Sequence, residues 1–346
     1  MGKKSLVTIA IASYNNSKYI ERCIDSVIHQ SYDHVEILII DDGSNDDTLN
    51  RVEKYKEDHR IRIVLKENGG LSSVRQKAFE EAKGDYICFI DADDYLKEDY
   101  VSGMLLQITD DNSDICICST QVENEEGIVN ERDTQAFKVA DGKPLKVTTE
   151  LLAEKHCNLS GKLSLSDSWN KMYNTSFLRR TGVQFRLPKG YNGTDLVFNH
   201  KVVLYEPQYS FVSSVGYCHV LYKKSAVRRK KKELQKGFQY IISDIIGEAR
   251  RVGNYEQLKG KMSNLHYYLL RYALQDRLNE TEGLMEKLKE VRNSRESNSD
   301  FIRNECHIDN SIAYMETKSL KGFYILFRFL PFFLPLFFKL RKSLTE

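Results

Sequence analysis

The sequence predicts an α/β fold in which helices cover both faces of a mostly parallel sheet. Its first part contains short apolar runs, such as "LVTIAIA" and "VEILII", that are almost continuous rather than alternating. Strands that are buried on both faces have this pattern, which is typical of parallel sheets. Segments with apolar residues at helical spacing lie between the runs. The regular succession of the two patterns indicates strand–helix–strand units.

The elements can be placed in chain order from these patterns. In the segment 17–30, for example, Ile20, Cys23, Ile24 and Val27 recur at the spacing of one helix face. A polar turn, "GSNDD", separates the second strand from the helix after it. We expect strands at 6–12, 35–42, 61–65, 85–94, 113–123 and 209–222, and helices at 17–30, before 56, within 69–84 and from about 195.

The character of the chain changes near residue 225, where charged helical sequence without strand patterns begins. We therefore predict an α/β domain at 1–225, a helical C-terminal domain at 226–310 and an amphipathic aromatic and basic tail at 311–346. The tail is rich in Phe and Leu but is interrupted by Arg328, Pro331 and Pro335. It is too short and broken for a membrane span. Its alternatives are an interfacial membrane anchor, which we favour, and an apolar patch that docks on the helical domain or on a second copy in a homodimer.

Composition limits the classes of partner and the compartment. The 346 residues carry a formal net charge of +2, which gives no electrostatic reason to expect nucleic acid as a partner. The seven cysteines show no CxxC or clustered His/Cys spacing, which favours reduced thiols over disulfides or zinc. The N-terminal apolar run is short and lacks a cleavage site. We expect a cytoplasmic protein, with peripheral contact at the inner face of the cell membrane if the tail is an anchor.

Polar residues cluster at the predicted ends of three strands. Because ligands of open α/β sheets bind beyond the carboxyl ends of the strands, we expect these side chains to share one site. A single acid in such a place is more often a turn or helix cap, but several acids on one edge favour a ligand site. The residues are Ser13, Tyr14 and Asn15 after the first strand, Asp41 and Asp42 after the second, and Asp91 and Asp93 after the fourth.

Asp91 and Asp93 offer hard oxygen ligands that suit Mg²⁺ or Mn²⁺. Such ions commonly also bind phosphate oxygens, so a diphosphate ligand is expected. The chain has neither GxGxxG after its first strand nor GxxxxGK[ST], which excludes the usual dinucleotide and P-loop sites. Arg75 is a candidate phosphate contact, or alternatively a solvated helix residue. The pair "GG" at 69–70 would let the backbone approach the phosphate closely.

Several motifs together resemble family 2 glycosyltransferases, the GT-A type enzymes that build bacterial surface polysaccharides. They are the stretch from "VTIAIASYNN" to "IDDGSNDDT", then "ENGGLSSVRQKA", "GDYICFIDADDYL" and "WNKMY", and they occur in the family's order. The likeness covers residues 5 to about 225. It implies the GT-A fold, a nucleotide-sugar donor such as a UDP-hexose or UDP-HexNAc, and Mn²⁺ or Mg²⁺ as cofactor. It also implies a glycan, lipid-linked or glycoprotein acceptor.

The resemblance assigns donor and metal roles to individual residues. Tyr14 and Asp42 correspond to the residues that hold the nucleotide base, and Arg75 corresponds to a nucleotide contact. Asp91 would lie near the ribose and Asp93 on the metal. The nucleotide-sugar site implied in this way comprises Ser13, Tyr14, Asn15, Asp42, Arg75, Asp91, Ala92 and Asp93.

The family's catalytic base lies in an "ED" pair after the "WNK" motif, where this chain has Thr194 and Asp195. The resemblance therefore implies Asp195 as general base, with an N-cap of the following helix as the alternative. His219 either completes the metal site or, as we favour, is a hydrogen-bonded sheet residue. Trp169 is either a platform for a sugar or part of the core. The implied sugar or acceptor pocket comprises Asp94, Trp169, Asn170, Lys171 and Thr194.

These assignments predict an inverting, metal-dependent sugar transfer in one displacement. The acceptor hydroxyl would attack the anomeric carbon from the face opposite the leaving diphosphate, with Asp195 accepting the proton. Two other classes stay open. The chain could be a catalytically silent interaction protein on a GT-A scaffold, because fold does not fix function. A nucleotidyltransferase would also use acids and a metal, but it needs a glycine-rich N-terminal nucleotide loop that "ASYNNSKYI" does not provide.

Overall fold

The computed structural model describes residues 4–124, 126–132, 145–146, 166–222 and 234–301, together with Phe323, Phe327 and Leu334. The chain divides into two compact units. The first comprises 1–148 and 160–230, and the second comprises 149–159 and 231–346. The predicted domain limits at 225 and 310 stay predictions.

The first unit is built on one sheet, whose described strands run in the order β3-β2-β1-β4-β9-β6-β10-β5. A further strand, β7, pairs with β6, and β8 pairs with β10. The strands are β1 Val7–Ser13, β2 Val35–Asp41, β3 Ile61–Leu65, β4 Tyr86–Asp91, β5 Tyr95–Leu96, β6 Ile115–Asn124, β7 Gly127–Arg132, β8 Leu145–Lys146, β9 Lys171–Asn174 and β10 Gln208–Val220.

Six described helices belong to the first unit and three to the second. Those of the first unit are α1 Ile20–Ile28, α2 Thr48–Glu53, α3 Leu71–Glu81, α4 Tyr100–Asp110, α5 Thr175–Thr181 and α6 Thr194–Val203. Those of the second unit are α7 Leu234–Val252, α8 Tyr255–Glu280 and α9 Leu284–Phe301.

The sheet is mostly parallel, as the near-continuous apolar runs predict. β1 pairs in parallel with β2 and β4, β2 with β3, and β6 with β10. The four-residue strand β9 is antiparallel to both of its neighbours, β4 and β6. The sequence pattern does not reveal β9, because a strand of four residues that starts with a lysine has too few apolar positions to show a period.

Register brings the predicted site residues to one edge of the sheet. Ser13 is paired with Asp41, and Ala12 is paired with Asp91. The carboxyl ends of β1, β2 and β4 therefore meet, and the polar residues that follow them in sequence become neighbours. Below this edge the strands are closely packed, with Ile9, Ile37 and Cys88 fully buried in one apolar cluster.

The second unit holds its three helices together partly through neutral polar pairs. The Gln235 side chain donates to the Ser294 carbonyl, and the Ser294 hydroxyl donates back to Gln235. Three tail residues at helix-like spacing, Phe323, Phe327 and Leu334, are buried within the chain. In the parts of the chain that the structure describes, no helix is long and apolar enough to cross a membrane. Most of the tail lies outside the described residues, so its use stays a prediction.

Candidate active site

Asp42, at the end of β2, holds the loop that leads into α3. Its Oδ1 accepts hydrogen bonds from Lys66 Nζ at 2.6 Å and from the Gly69 amide at 2.9 Å. Its Oδ2 accepts from the Gly70 amide at 2.8 Å. Gly70 has φ +84°, a conformation that favours glycine. The two glycine amides therefore bind a protein carboxylate, and a close approach of this backbone to a phosphate stays a prediction.

The residues after β1 form an exposed turn beside Asp42. Tyr14 is 45% exposed. Asn15 has φ +53°, and its amide donates to Ser44 Oγ at 2.9 Å while its side chain accepts from the Asn45 amide at 2.9 Å. These bonds fix the turn and leave the Tyr14 ring facing solvent. A planar ligand such as a nucleotide base fits this surface.

Arg75, on α3, lies between two carboxylates. The side chain is only 1% exposed, and its Nη2 donates to Asp91 Oδ1 at 2.8 Å. Its Nη1 forms an ion pair with Asp195 Oδ1. The alternative of a solvated helix residue is therefore wrong. Arg75 links the acid at the end of β4 to the acid in the first turn of α6.

Asp93 differs from Asp91 and Asp94 because no other described residue forms a hydrogen bond or an ion pair with its carboxylate. Its main-chain oxygen accepts from Arg22 Nη2 at 2.6 Å. Burial, followed by the charges of Asp94 and Asp91, raises the pKa of Asp93 to about 7. An uncompensated, largely buried carboxylate is stabilised by a nearby cation.

This donor set fits Mg²⁺ or Mn²⁺ held partly by substrate. Within the described residues, no group of three or more His, Cys, Asp or Glu side chains could hold an ion alone. Mg²⁺ sites commonly use one or two carboxylates and complete the shell with phosphate oxygens and water. A divalent ion bound by Asp93 would therefore need further ligands, such as phosphate oxygens or water, to complete its shell.

Asp94 is fully buried and belongs to a different set of contacts. Its Oδ2 accepts from the Tyr217 hydroxyl at 2.6 Å, and its Oδ1 accepts from the Val220 amide at 2.8 Å. The third donor is His219 Nδ1, at 3.1 Å from Oδ2. Burial lowers the pKa of His219, but the hydrogen bond and charge of Asp94, with Asp91 and Asp93, outweigh it and raise the value to about 9.

The Trp169 ring is packed into the core beside this network. It packs at a tilt of 31° against Tyr217, at 4.7 Å between ring centroids, and stacks on His219 at 5.3 Å. It is 6% exposed and belongs to the apolar cluster below the sheet edge. The packing matches the core alternative for Trp169, and a direct contact with a sugar stays a prediction.

The other predicted pocket residues are also buried. Lys171 Nζ donates to Asn170 Oδ1 at 2.9 Å and to the Asp167 carbonyl. Burial lowers the pKa of Lys171 to about 8. Thr194 is 5% exposed and begins α6. The structure thus gives Asn170 and Lys171 protein partners, and their contact with an acceptor stays a prediction.

Asp195 lies in the first turn of α6 with one carboxylate edge on Arg75. The N-cap of this helix is Gly193, and it makes no side-chain capping bond. The N-cap alternative for Asp195 is therefore wrong. Asp195 Oδ2 accepts from the Ser168 amide at 3.3 Å. The side chain keeps 18% of its surface exposed, so its carboxylate is held in place yet open to solvent.

Sequence reasoning does not find the groups that hold the chain around Asp93. Arg22 donates to Tyr222 at 2.9 Å as well as to the Asp93 carbonyl, and its guanidinium lies over the Tyr95 ring. The Tyr19 and Tyr222 rings stack at 4.0 Å. Arg22 and Tyr222 are 200 positions apart in sequence, so no local pattern signals the contact.

Comparison with known proteins adds to this geometry. The family model described as glycosyl transferase family 2 matches residues 8–179. EpsH from Bacillus subtilis, whose name assigns it to the glycosyltransferases, is 31% identical over 230 residues, which is 66% of this chain and 64% of that relative. The chain thus spans less than two thirds of the length of this curated relative, and it spans smaller shares, 31% and 12%, of two others.

Solved structures share the fold. TarS from S. aureus in complex with UDP-GlcNAc superposes with a TM-score of 0.74 at 19% identity, covering 97% of this chain and 91% of that chain. The mannosyltransferase PcManGT from Pyrobaculum calidifontis, in complex with GDP-Man and Mn²⁺, gives 0.51 at 15% identity, covering 93% and 85%. The predicted GT-A architecture with a helical C-terminal region is confirmed. The chain belongs to glycosyltransferase family 2.

Proposed function

We propose that the protein is an inverting, metal-dependent glycosyltransferase that moves a sugar from a nucleotide sugar to a hydroxyl of a glycan, lipid-linked or glycoprotein acceptor. One observation carries the proposal. At the edge where β1, β2 and β4 end, no ion pair among the described residues ends on the Asp93 carboxylate, while Asp91 and Asp195 share the buried Arg75. The family of the chain, together with a structural neighbour crystallised with UDP-GlcNAc, supports this assignment.

The exposed turn after β1 and the Asp42 loop are the proposed place for the nucleotide. Tyr14 would pack on the base, and the neighbouring Asp42 would accept from it while still holding the loop of Gly69 and Gly70. A carboxylate oxygen has two lone pairs, so such a shared use is possible. Ser13, Asn15 and Ala92 would line this nucleotide site. A UDP-hexose or UDP-HexNAc is the proposed donor.

Asp93 is the proposed metal ligand, with His219 as a second one. Mn²⁺ or Mg²⁺, when bound there with the donor, would neutralise charge on the departing diphosphate. Asp91 would stay on Arg75 and face the ribose, because its Oδ1 already accepts from that guanidinium. A structural neighbour in complex with GDP-Man and Mn²⁺ supports a divalent cation as cofactor.

Asp195 is the proposed general base. The bond between the acceptor oxygen and the anomeric carbon would form as the bond from that carbon to the diphosphate breaks, which inverts the carbon. The acceptor proton passes to Asp195, whose carboxylate is partly exposed and is oriented by Arg75 and the Ser168 amide. The sugar or acceptor pocket would then be lined by Trp169, Asn170, Lys171 and Thr194.

The test is release of the nucleoside diphosphate from a panel of nucleotide sugars, with Mn²⁺, with Mg²⁺ and with EDTA. We expect metal-dependent release of UDP, increased by the right acceptor and lost in Asp93→Asn. Asp110→Asn is the matched control, because Asp110 is exposed at the end of α4. A silent scaffold would release no nucleotide from any donor. A nucleotidyltransferase would instead release pyrophosphate from a nucleoside triphosphate and a sugar phosphate.

A further inference from the structure

We propose that Asp94 is a positioning residue that orients the His219 ring so that its Nε2 faces the donor diphosphate and its metal ion beside Asp93. The inference rests on the proposed function and deepens it. It assigns the third acid of "DADD" to the support of a ligand, in place of the predicted contact between Asp94 and an acceptor.

The first step is the geometry of the Asp94 carboxylate. It has no exposed surface, and both of its oxygens are used: Tyr217 and Val220 donate to it at 2.6 and 2.8 Å, and His219 Nδ1 lies 3.1 Å away. An approaching acceptor therefore cannot reach it. A buried carboxylate costs stability unless it is fully hydrogen-bonded, and a neutral residue could fill the space at less cost. The carboxylate therefore acts on its three donors, of which His219 is the most exposed.

The second step is the constraint on His219. Asp94 holds its Nδ1, and the Trp169 ring stacks on one face with only 11° between the two planes. The Trp169 ring is itself held by packing against Tyr217. The stacking fixes the plane of the imidazole, and the contact with Asp94 fixes how the ring is turned within that plane. Among the described residues, no hydrogen bond ends on His219 Nε2, and the side chain is 25% exposed.

The third step connects this ring to the donor edge. Asp93 precedes Asp94 directly and Asp94 contacts His219, so the His219 ring lies beside the residue that neighbours the proposed metal ligand. A bound ion would replace the proton on Nε2, while the Nδ1 proton would stay in its hydrogen bond to Asp94. Metal-binding histidines generally donate their second ring nitrogen to a carboxylate, which fixes the tautomer and the ring orientation. Asp94 and His219 have this arrangement. The Trp169 ring then limits the movement of the His219 ring, which explains why Trp169 is buried beside the site.

The test uses Mn²⁺ bound together with UDP, followed by titration and by pulsed electron paramagnetic resonance, which detects nitrogen bound to Mn²⁺. In the unaltered protein we expect a nitrogen coupling from His219, which His219→Gln abolishes. Asp94→Asn should remove or weaken the coupling and reduce Mn²⁺ affinity in the presence of UDP by about 10- to 100-fold. Tyr217→Phe, which keeps the carboxylate and the histidine, should give a smaller loss and serves if Asp94→Asn does not fold.

Asp114→Asn is the matched control. Asp114 also accepts a backbone hydrogen bond, from the Gln208 amide at 3.0 Å, but it lies at the start of β6, whereas His219 is paired near the end of that strand. It should leave the coupling unchanged. An unaltered coupling and affinity in Asp94→Asn, or Mn²⁺ and UDP binding without any nitrogen coupling, would overturn the inference while metal-dependent donor binding stands. If the unaltered protein binds no Mn²⁺ in the presence of UDP, the metal-dependent proposal itself fails, and the inference fails with it.

Discussion

The two units of the molecule bury polar groups of different kinds. In the first unit the buried polar side chains include Asp42, Arg75, Asp94 and Lys171, all of them ionisable groups that are normally charged. In the described part of the second unit they are Gln235, His266, Ser294 and Asn298. Because burying a charge costs far more than burying a neutral group, a cluster of buried charges requires either close partners or a ligand.

The second unit satisfies its buried groups internally. His266 Nε2 lies 2.6 Å from Asn298 Oδ1, which joins α8 to α9. Burial lowers the pKa of His266 to about 4, so the ring is neutral at physiological pH. Such pairs fix how these described helices pack.

The first unit differs at Asp93. Several of its other buried charges have an ionic partner: Asp42 is paired with Lys66, Arg75 with two acids and Asp94 with His219. Asp93 alone among the acids of "DADD" has no protein partner in the described structure. This difference agrees with our proposal that catalysis takes place in the first unit, among the charged groups at its sheet edge.

Among the substitutions that test this comparison, the largest effect is expected at Asp195. Asp195→Asn should lower the rate of sugar transfer by about 10²- to 10⁴-fold, because the amide cannot accept the acceptor proton. Donor affinity should change little, since the base acts on the acceptor. Turnover measured with saturating acceptor and UDP titration provide the two values. Near-normal transfer by the variant would move the base to another residue.

A second prediction contrasts one buried and one exposed arginine. Arg75→Met leaves Asp91 and Asp195 without their shared cation, so we expect a loss of about 3–5 kcal/mol in the free energy of unfolding. Arg292→Met removes an exposed pair with Glu296 in α9 and should cost at most about 0.5 kcal/mol. Urea denaturation of both variants measures the difference. Equal losses of unfolding free energy in the two variants would mean that the buried arginine contributes no more to stability than the exposed one.

A third, smaller effect is the pH dependence of the second unit. His266 has a pKa of about 4 when folded and 6.5 as its ordinary value, so between these values the unfolded chain binds more protons. Stability should therefore fall as pH falls from 6.5 toward 4, by at most about 1.4 kcal/mol per pH unit from this residue. Thermal unfolding across that window should show a shallower slope in His266→Gln. Burial also lowers the pKa of His200 to about 4, so His200 contributes a pH dependence of the same sign to the unaltered protein and to His266→Gln.

The local sequence pattern is sufficient to predict the parallel core and the sheet edge at which the candidate site lies. The apolar runs of β1, β2 and β4 mark strands buried on both faces, and the ends of such strands must meet, so Asp42, Asp91 and Asp93 can be grouped from the sequence alone. The roles of Arg75 and Asp94 are not accessible in this way. Their partners include Asp195 and Tyr217, which lie more than 100 positions away in sequence, and only tertiary packing brings them together.

The central claim is that Asp93 binds a divalent cation together with the donor. Calorimetric titration of UDP-GlcNAc into the unaltered protein, with Mn²⁺ and with EDTA, tests it most directly. Asp93→Asn and the second-unit variant Asn298→Ala are measured in parallel. The account predicts that Mn²⁺ strengthens binding in the unaltered protein and in Asn298→Ala, and has little effect in Asp93→Asn. Equal donor affinity with and without Mn²⁺ in the unaltered protein would contradict it.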